Sequence, residues 1–260
     1  MTTVISHSIA GTGHYKSPHG FENDANAADP YGWTTTEVLG TIAVGASYTT
    51  HNKVVDQSRT ATGGGNISLI NTFVSAQGYG TIECWFATTD VTKINVLVVK
   101  GGSDNAIIIE QSGSNFYAYN GNGIGGGAYS AALVAAANAT WYRIRIDFEC
   151  TAGGYLGMGQ YKWSLWINGT EYDNAGAHWG FTNNQATLTT FYTQLASNNA
   201  YHSYMDGVGY SWDSGYALGD NNTEYTSVPY KRALARRGTH ESHHDFSSFD
   251  ITKMSFPQQL

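Results

Sequence analysis

Between residues 141 and 150 the chain switches side-chain character at every step. Tyr142, Ile144, Ile146, Phe148 and Cys150 form one set, and Trp141, Arg143, Arg145, Asp147 and Glu149 form the other. A period of two sends successive side chains to opposite faces of an extended backbone, so this stretch is a strand with one apolar and one charged face. A helix, with a period of about 3.6, would spread both sets around its axis. Residues 161–167 repeat the pattern, with Trp163, Leu165 and Ile167 opposed to Lys162, Ser164 and Trp166. The Asn168-Gly169 pair that follows favours a two-residue hairpin turn, which returns residues 170–172 as a partner strand. Residues 81–87 alternate too: Ile82, Cys84 and Phe86 against Glu83 and Trp85.

Shorter runs extend the set. Residues 38–55 hold two early strands, and 66–74, 94–100, 106–111, 116–120, 186–196 and 201–212 each read as a further one. The alanine-rich run at 128–139 is the one stretch of helical composition, and a short helix is expected there. Many short strands divided by Gly and Asn turns, with at most one helix, specify an all-β, two-layer antiparallel β-sandwich. With 260 residues one such sandwich suffices. We read residues 1–20 as an irregular N-terminal arm, 21–228 as the sandwich and 229–260 as an irregular C-terminal tail.

Charged residues are 13% of the chain, while Gly (31) and Tyr (18) are abundant. That composition suits an extracellular or virion and particle surface. A net charge of −7 disfavours nucleic acid, which needs a concentrated basic face. The longest apolar run, at 131–139, is too short for a membrane span, and the N-terminal residues show no secretory signal peptide. Cys84 and Cys150 both point inward in this strand reading, so a disulfide and a pair of buried free thiols are both open.

The stretch at 201–221 gives a closing strand and a loop broken by Gly215 and Gly219. Asp206 falls inside that strand, where an unsatisfied carboxylate is costly. Phe21-Glu22-Asn23-Asp24, Gly32-Trp33-Thr34, the run Asp206-Gly207-Val208-Gly209-Tyr210-Ser211-Trp212 and the closing Gly219-Asp220-Asn221 together resemble concanavalin A-like, laminin-G-like jelly rolls. The resemblance covers most of residues 21–228. Related modules often carry a structural ion, so Glu22, Asn23, Asp24 and Asp206 become candidate ligands for a structural Ca²⁺, which takes six to eight oxygens.

Two enzymatic readings can be weighed on their residues. Gly121-Asn122-Gly123-Ile124-Gly125-Gly126 with Asp147 downstream imitates a dinucleotide fingerprint, but the βαβ frame it needs is missing. Some concanavalin A-like hydrolases carry Glu-x-Asp-x-Glu on one strand; here the frame is Arg145-Ile146-Asp147-Phe148-Glu149, with arginine at the nucleophile's place. His240, Glu241, His243, His244 and Asp245 form a tail cluster that matches no standard zinc spacing.

What remains is a face. Outward aromatic and charged residues suit a sugar, whose C–H face stacks on an indole while its hydroxyls hydrogen-bond. The candidate glycan-binding residues are Trp85, Arg143, Arg145 and Trp166, with Tyr210, Trp212 and Tyr216 of the exit loop as a rival site. The expected function is a non-catalytic surface recognition module that binds glycans or a host or cell surface, displayed on a larger assembly. The alternative is a structural building block, such as a virion decoration or fibre protein, that forms homo-oligomers or particles through its terminal arms. A polysaccharide-active enzyme is the third reading.

Overall fold

The computed structural model describes Tyr15 and residues 17–63 and 65–222. Two eight-stranded antiparallel sheets make up the body. Sheet I runs in the order β1 (Thr34–Glu37), β6 (Ile67–Gln77), β17 (Leu188–Leu195), β8 (Asn95–Gly101), β9 (Asp104–Ser112), β10 (Asn115–Gly121) and β11 (Gly127–Tyr129), with β12 (Val134–Ala135) also on β10. Sheet II runs β15 (Thr170–Tyr172), β14 (Lys162–Ile167), β13 (Tyr142–Glu149), β7 (Tyr79–Thr88), β18 (Tyr201–Tyr210), β5 (Val55–Arg59) and β2 (Gly40–Val44), with β16 (Trp179–Gly180) also on β14. A small ribbon of β3 (Ser47–Tyr48) and β4 (His51–Asn52) stands apart.

The alternation seen in the sequence becomes the division between core and surface. Tyr142, Ile144, Ile146, Phe148 and Cys150 are buried with Ile82, Cys84, Phe86, Trp163, Leu165 and Ile167 in one cluster, which Leu97, Val99, Ile107, Ile109, Phe116 and Phe191 join from sheet I. At about 1.5–3 kcal/mol for each large apolar side chain removed from water, this cluster supplies the main driving force for the fold. Asn168 (φ 51°) and Gly169 (φ 84°) are both left-handed, and Ile167 pairs with Thr170, as a primed hairpin turn requires.

The alanine-rich segment does not form the expected helix. Its backbone bonds to the edge of β10 instead: Ser130 N donates to Ala118 O, Leu133 N to Phe116 O and Ala136 N to Ser114 O. Propensity is overridden because an open strand edge offers partners that a short isolated helix lacks. Cys84 and Cys150 are free and buried, and burial pushes the Cys150 thiol up to about 12. In the glycine loop after β10, a Cβ at Gly121 would lie 2.2 Å from Phe181 O and Thr182 N. That glycine serves a close backbone approach inside a β-sandwich.

Of the expected N-terminal arm, Tyr15 is buried and His19 pairs with Val208 of the last strand. The C-terminal tail at 229–260 and its His cluster lie outside the described residues. Among the described residues no helix is long and apolar enough to cross a membrane.

Candidate functional site

The central strands of sheet II set their outward side chains in rows. Register places Glu83 opposite Arg145 and Arg145 opposite Trp166, with Gly209 on the other side of Glu83. In the next row Trp85 stands opposite Arg143. Glu83, Arg143, Arg145 and Trp166 form the floor of a cleft of about 190 Å³, and Gly169, Leu218, Gly219 and Asn222 form its walls.

Each floor residue is held from below or beside. The Arg145 guanidinium lies 5.1 Å from the Trp166 ring centroid, and its Nε donates to Asp147 Oδ1 at 2.9 Å and Oδ2 at 3.1 Å. Burial favours the neutral arginine, but the bond to Asp147 and the charges of Asp147 and Glu83 prevail, so its pKa rises. Asp147 also accepts from Thr81 Oγ1, which contacts the Tyr155 hydroxyl at 2.9 Å. Glu149 accepts from the amides of Thr151 (2.7 Å) and Tyr155 (2.9 Å). Burial opposes this carboxylate, and these hydrogen bonds outweigh it and lower its pKa. Both carboxylates of the hydrolase-like frame are thus occupied in holding the floor and the 151–155 turn.

The loop after β18 is latched over Glu83. The Tyr216 hydroxyl and the Gly219 amide donate to Glu83 Oε2 at 2.7 and 2.6 Å, and the Tyr216 ring lies where a Cβ on Gly209 would stand 2.3 Å from its Cζ. Asn221 Nδ2 donates to Gly207 O, and Asn221 O accepts from Trp85 Nε1.

This arrangement corrects the rival aromatic site. Tyr210 points into the sandwich, 2% exposed, with its hydroxyl donating to Asn71 Oδ1. Trp212 stacks on Tyr210 at 5.0 Å and caps the end of the core against Phe73 and Phe148. Tyr216 is 8% exposed and serves as the latch. Tyr210 and Tyr216 are buried, and Trp212 is half-buried against the core. Trp85 stands outside the cleft as well, packed by Tyr15 (5.4 Å) and His51 (5.1 Å). Arg143, Arg145 and Trp166 are the expected residues that the fold brings together.

The four candidate calcium ligands are arranged differently from the expectation. Asp206 is fully buried and meets His51 Nδ1 at 2.8 Å while accepting from the Gly207 amide. Burial, then the nearby charge of Glu22, raises the Asp206 pKa well above the carboxylate range, and burial takes His51 down to about 3. Tyr15 and Trp141 stack on His51 at 4.3 and 3.9 Å and close it off. Asp24 turns its carboxylate to the Tyr31 amide, and its carbonyl accepts from Lys53 Nζ, which also reaches Asn26 Oδ1. Asn23 is exposed. A lysine ammonium holds this loop, and among the described residues no group of three or more His, Cys, Asp or Glu stands together to hold a metal.

Sequence reasoning did not single out Lys53 or His51, which carry no local signal, or Glu83 as the anchor of the loop. It did read Gly215 and Gly219 as a tight polar loop but not as a cleft wall.

No family model matches the chain, and no curated protein sequence matches it. The comparison with solved structures matched β-rich proteins at low identity. The endo-β-1,4-glucuronan lyase of the fungus Trichoderma reesei is 14% identical, with 75% of this chain and 96% of that one covered and a TM-score of 0.47. The carbohydrate-binding module CBM66 from Bacillus subtilis is 11% identical, with 69% and 94% covered and a TM-score of 0.41. A tetrameric galectin from the ball sponge Cinachyrella is 12% identical, with 54% and 98% covered and a TM-score of 0.40. What the chain's own topology shows is a two-layer antiparallel β-sandwich.

Proposed function

We propose that the protein is a non-catalytic recognition module, suited to an extracellular or particle surface, that binds glycans in the cleft on the outer face of sheet II. The observation that carries this reading is the cleft's two-sided chemistry. Trp166 and Leu218 give it apolar surface, and Arg143, Arg145 and Asn222 give it hydrogen-bonding groups within the same small space. A pyranose presents the same combination, with C–H groups on its faces and hydroxyls around its rim. The non-catalytic part rests on the replacement of a carboxylate by Arg145 and on the structural engagement of Asp147 and Glu149.

The test is a glycan array with the intact protein, repeated with Trp166→Ala and Leu218→Ala. Selective binding that weakens by about tenfold or more in each variant, roughly 1.4 kcal/mol, is expected. A blank array from folded protein refutes the binding reading. Release of reducing ends or unsaturated uronates from any bound polysaccharide refutes the non-catalytic one.

A further inference from the structure

The cleft's hydrogen-bonding groups are unevenly matched, and the imbalance points to the kind of glycan. Arg143 has its backbone fixed on both sides by Asn168, whose Oδ1 accepts from Arg143 N and whose own amide donates to Arg143 O. Its guanidinium lies beside the turn, where a Cβ on Gly169 would come 3.2 Å from Nη2. Among the described residues this guanidinium has no ion pair and no hydrogen-bond acceptor. Arg145 is two residues further along the same face. Its Nε is committed to Asp147 and its plane lies over Trp166, so its two terminal nitrogens are left for the cleft.

The acceptors are arranged the opposite way. Glu83 and Asp147 are each 2% exposed. Glu83 Oε2 accepts from Tyr216 and Gly219, and Asp147 accepts from Thr81 and Arg145. The two carboxylates balance the two arginines in formal charge but are buried, while Arg143 and Arg145 are half-exposed, so the accessible groups are mainly N–H donors. Terminal guanidinium N–H donors left unspent match a planar or tetrahedral oxyanion in a two-bond fork, which neutral hydroxyls do not fill.

We infer that the cleft recognises an anionic glycan, through a carboxylate or sulfate group placed between Arg143 and Arg145. This rests on the glycan-binding reading and adds the ligand's charged group to it.

The experiment uses the full chain in affinity electrophoresis and calorimetry against matched pairs: a polyuronate and its carboxyl-reduced form, and a sulfated galactan and its desulfated form. Binding to a charged member at least tenfold tighter than to its neutral partner is expected. Arg143→Ala should remove that preference, and Arg143→Lys, which keeps charge but not the fork, should restore only part of it. Preference within the first pair identifies a carboxylate, within the second a sulfate, and within both the shared oxyanion chemistry. Equal binding to charged and neutral members, unaltered by Arg143→Ala but lost in Trp166→Ala, overturns the inference and leaves the glycan-binding reading intact. No binding to any of the four polymers, together with a blank array, overturns both.

Discussion

Tyr216→Phe isolates one atom of the latch. The ring remains seated against Gly209, so burial is preserved, and only the hydroxyl that donates to Glu83 at 2.7 Å disappears. A hydrogen bond to a charged acceptor contributes about 1.5–3 kcal/mol. Because Glu83 keeps the Gly219 amide, the loss should fall near the lower end, about 1.5–2 kcal/mol. For a domain of this size each kcal/mol moves Tm by about 2–4 °C, so a drop of roughly 3–8 °C is expected by calorimetry. The same substitution in a Glu83→Ala background should cost less than about 0.5 kcal/mol, since the partner is already absent and the two sites are coupled. A Tyr216→Phe protein that melts with the wild type, or one that loses equal stability in both backgrounds, refutes the latch. If the latch holds, Tyr216→Phe also weakens ligand binding, because Leu218, Gly219 and Asn222 line the cleft on the segment it fixes.

Two further outcomes follow from the same geometry. Excess chelator should leave Tm unchanged, while Lys53→Met lowers stability by about 1 kcal/mol, roughly 2–4 °C in Tm, as Asp24 and Asn26 lose their donor; a Tm that falls with chelator or rises with calcium contradicts the lysine-held loop. Burial holds His19 down at about 4 against its ordinary 6.5, with Asp24 opposing. The unfolded chain therefore binds more protons between those values, and the contribution of His19 is full above pH 6.5 and lost as pH falls toward 4. His19→Gln should flatten the fall of the urea midpoint across that window, and a slope identical to wild type would count against a buried neutral imidazole.

The sheet II strands could be read from the sequence because one face of each is apolar and the other carries polar and charged groups, which writes a period of two into the chain. Residues 142–149 show it most plainly, and there both faces were assigned as the structure has them. The same logic placed Arg143, Arg145 and Trp166 outward. It failed at 201–216 because aromatic residues beside glycines look alike whether they face solvent or cap a core. Tyr210 and Trp212 are drawn inward by a register shift between Asp206 and Gly209, and nothing local in the sequence announces a bulge. The alanine-rich run was misread for a related reason, since the edge of β10 that claims its backbone is contributed by residues 115–121. Asp206 was correctly seen to need a partner, but that partner, His51, is 155 positions away on a two-residue strand that has no period to detect.

The loop over Glu83 separates two duties residue by residue. Tyr216, Gly219 and Asn221 face down and fasten it, through the hydroxyl, one amide and the Gly207 contact, while Ala217, Leu218 and Asn222 are exposed. Anchors and display positions interleave along a few residues on a stiff three-strand floor. Substitutions at 218 and 222 alone would reshape the cleft wall while leaving Tyr216, Gly219 and Asn221 in place.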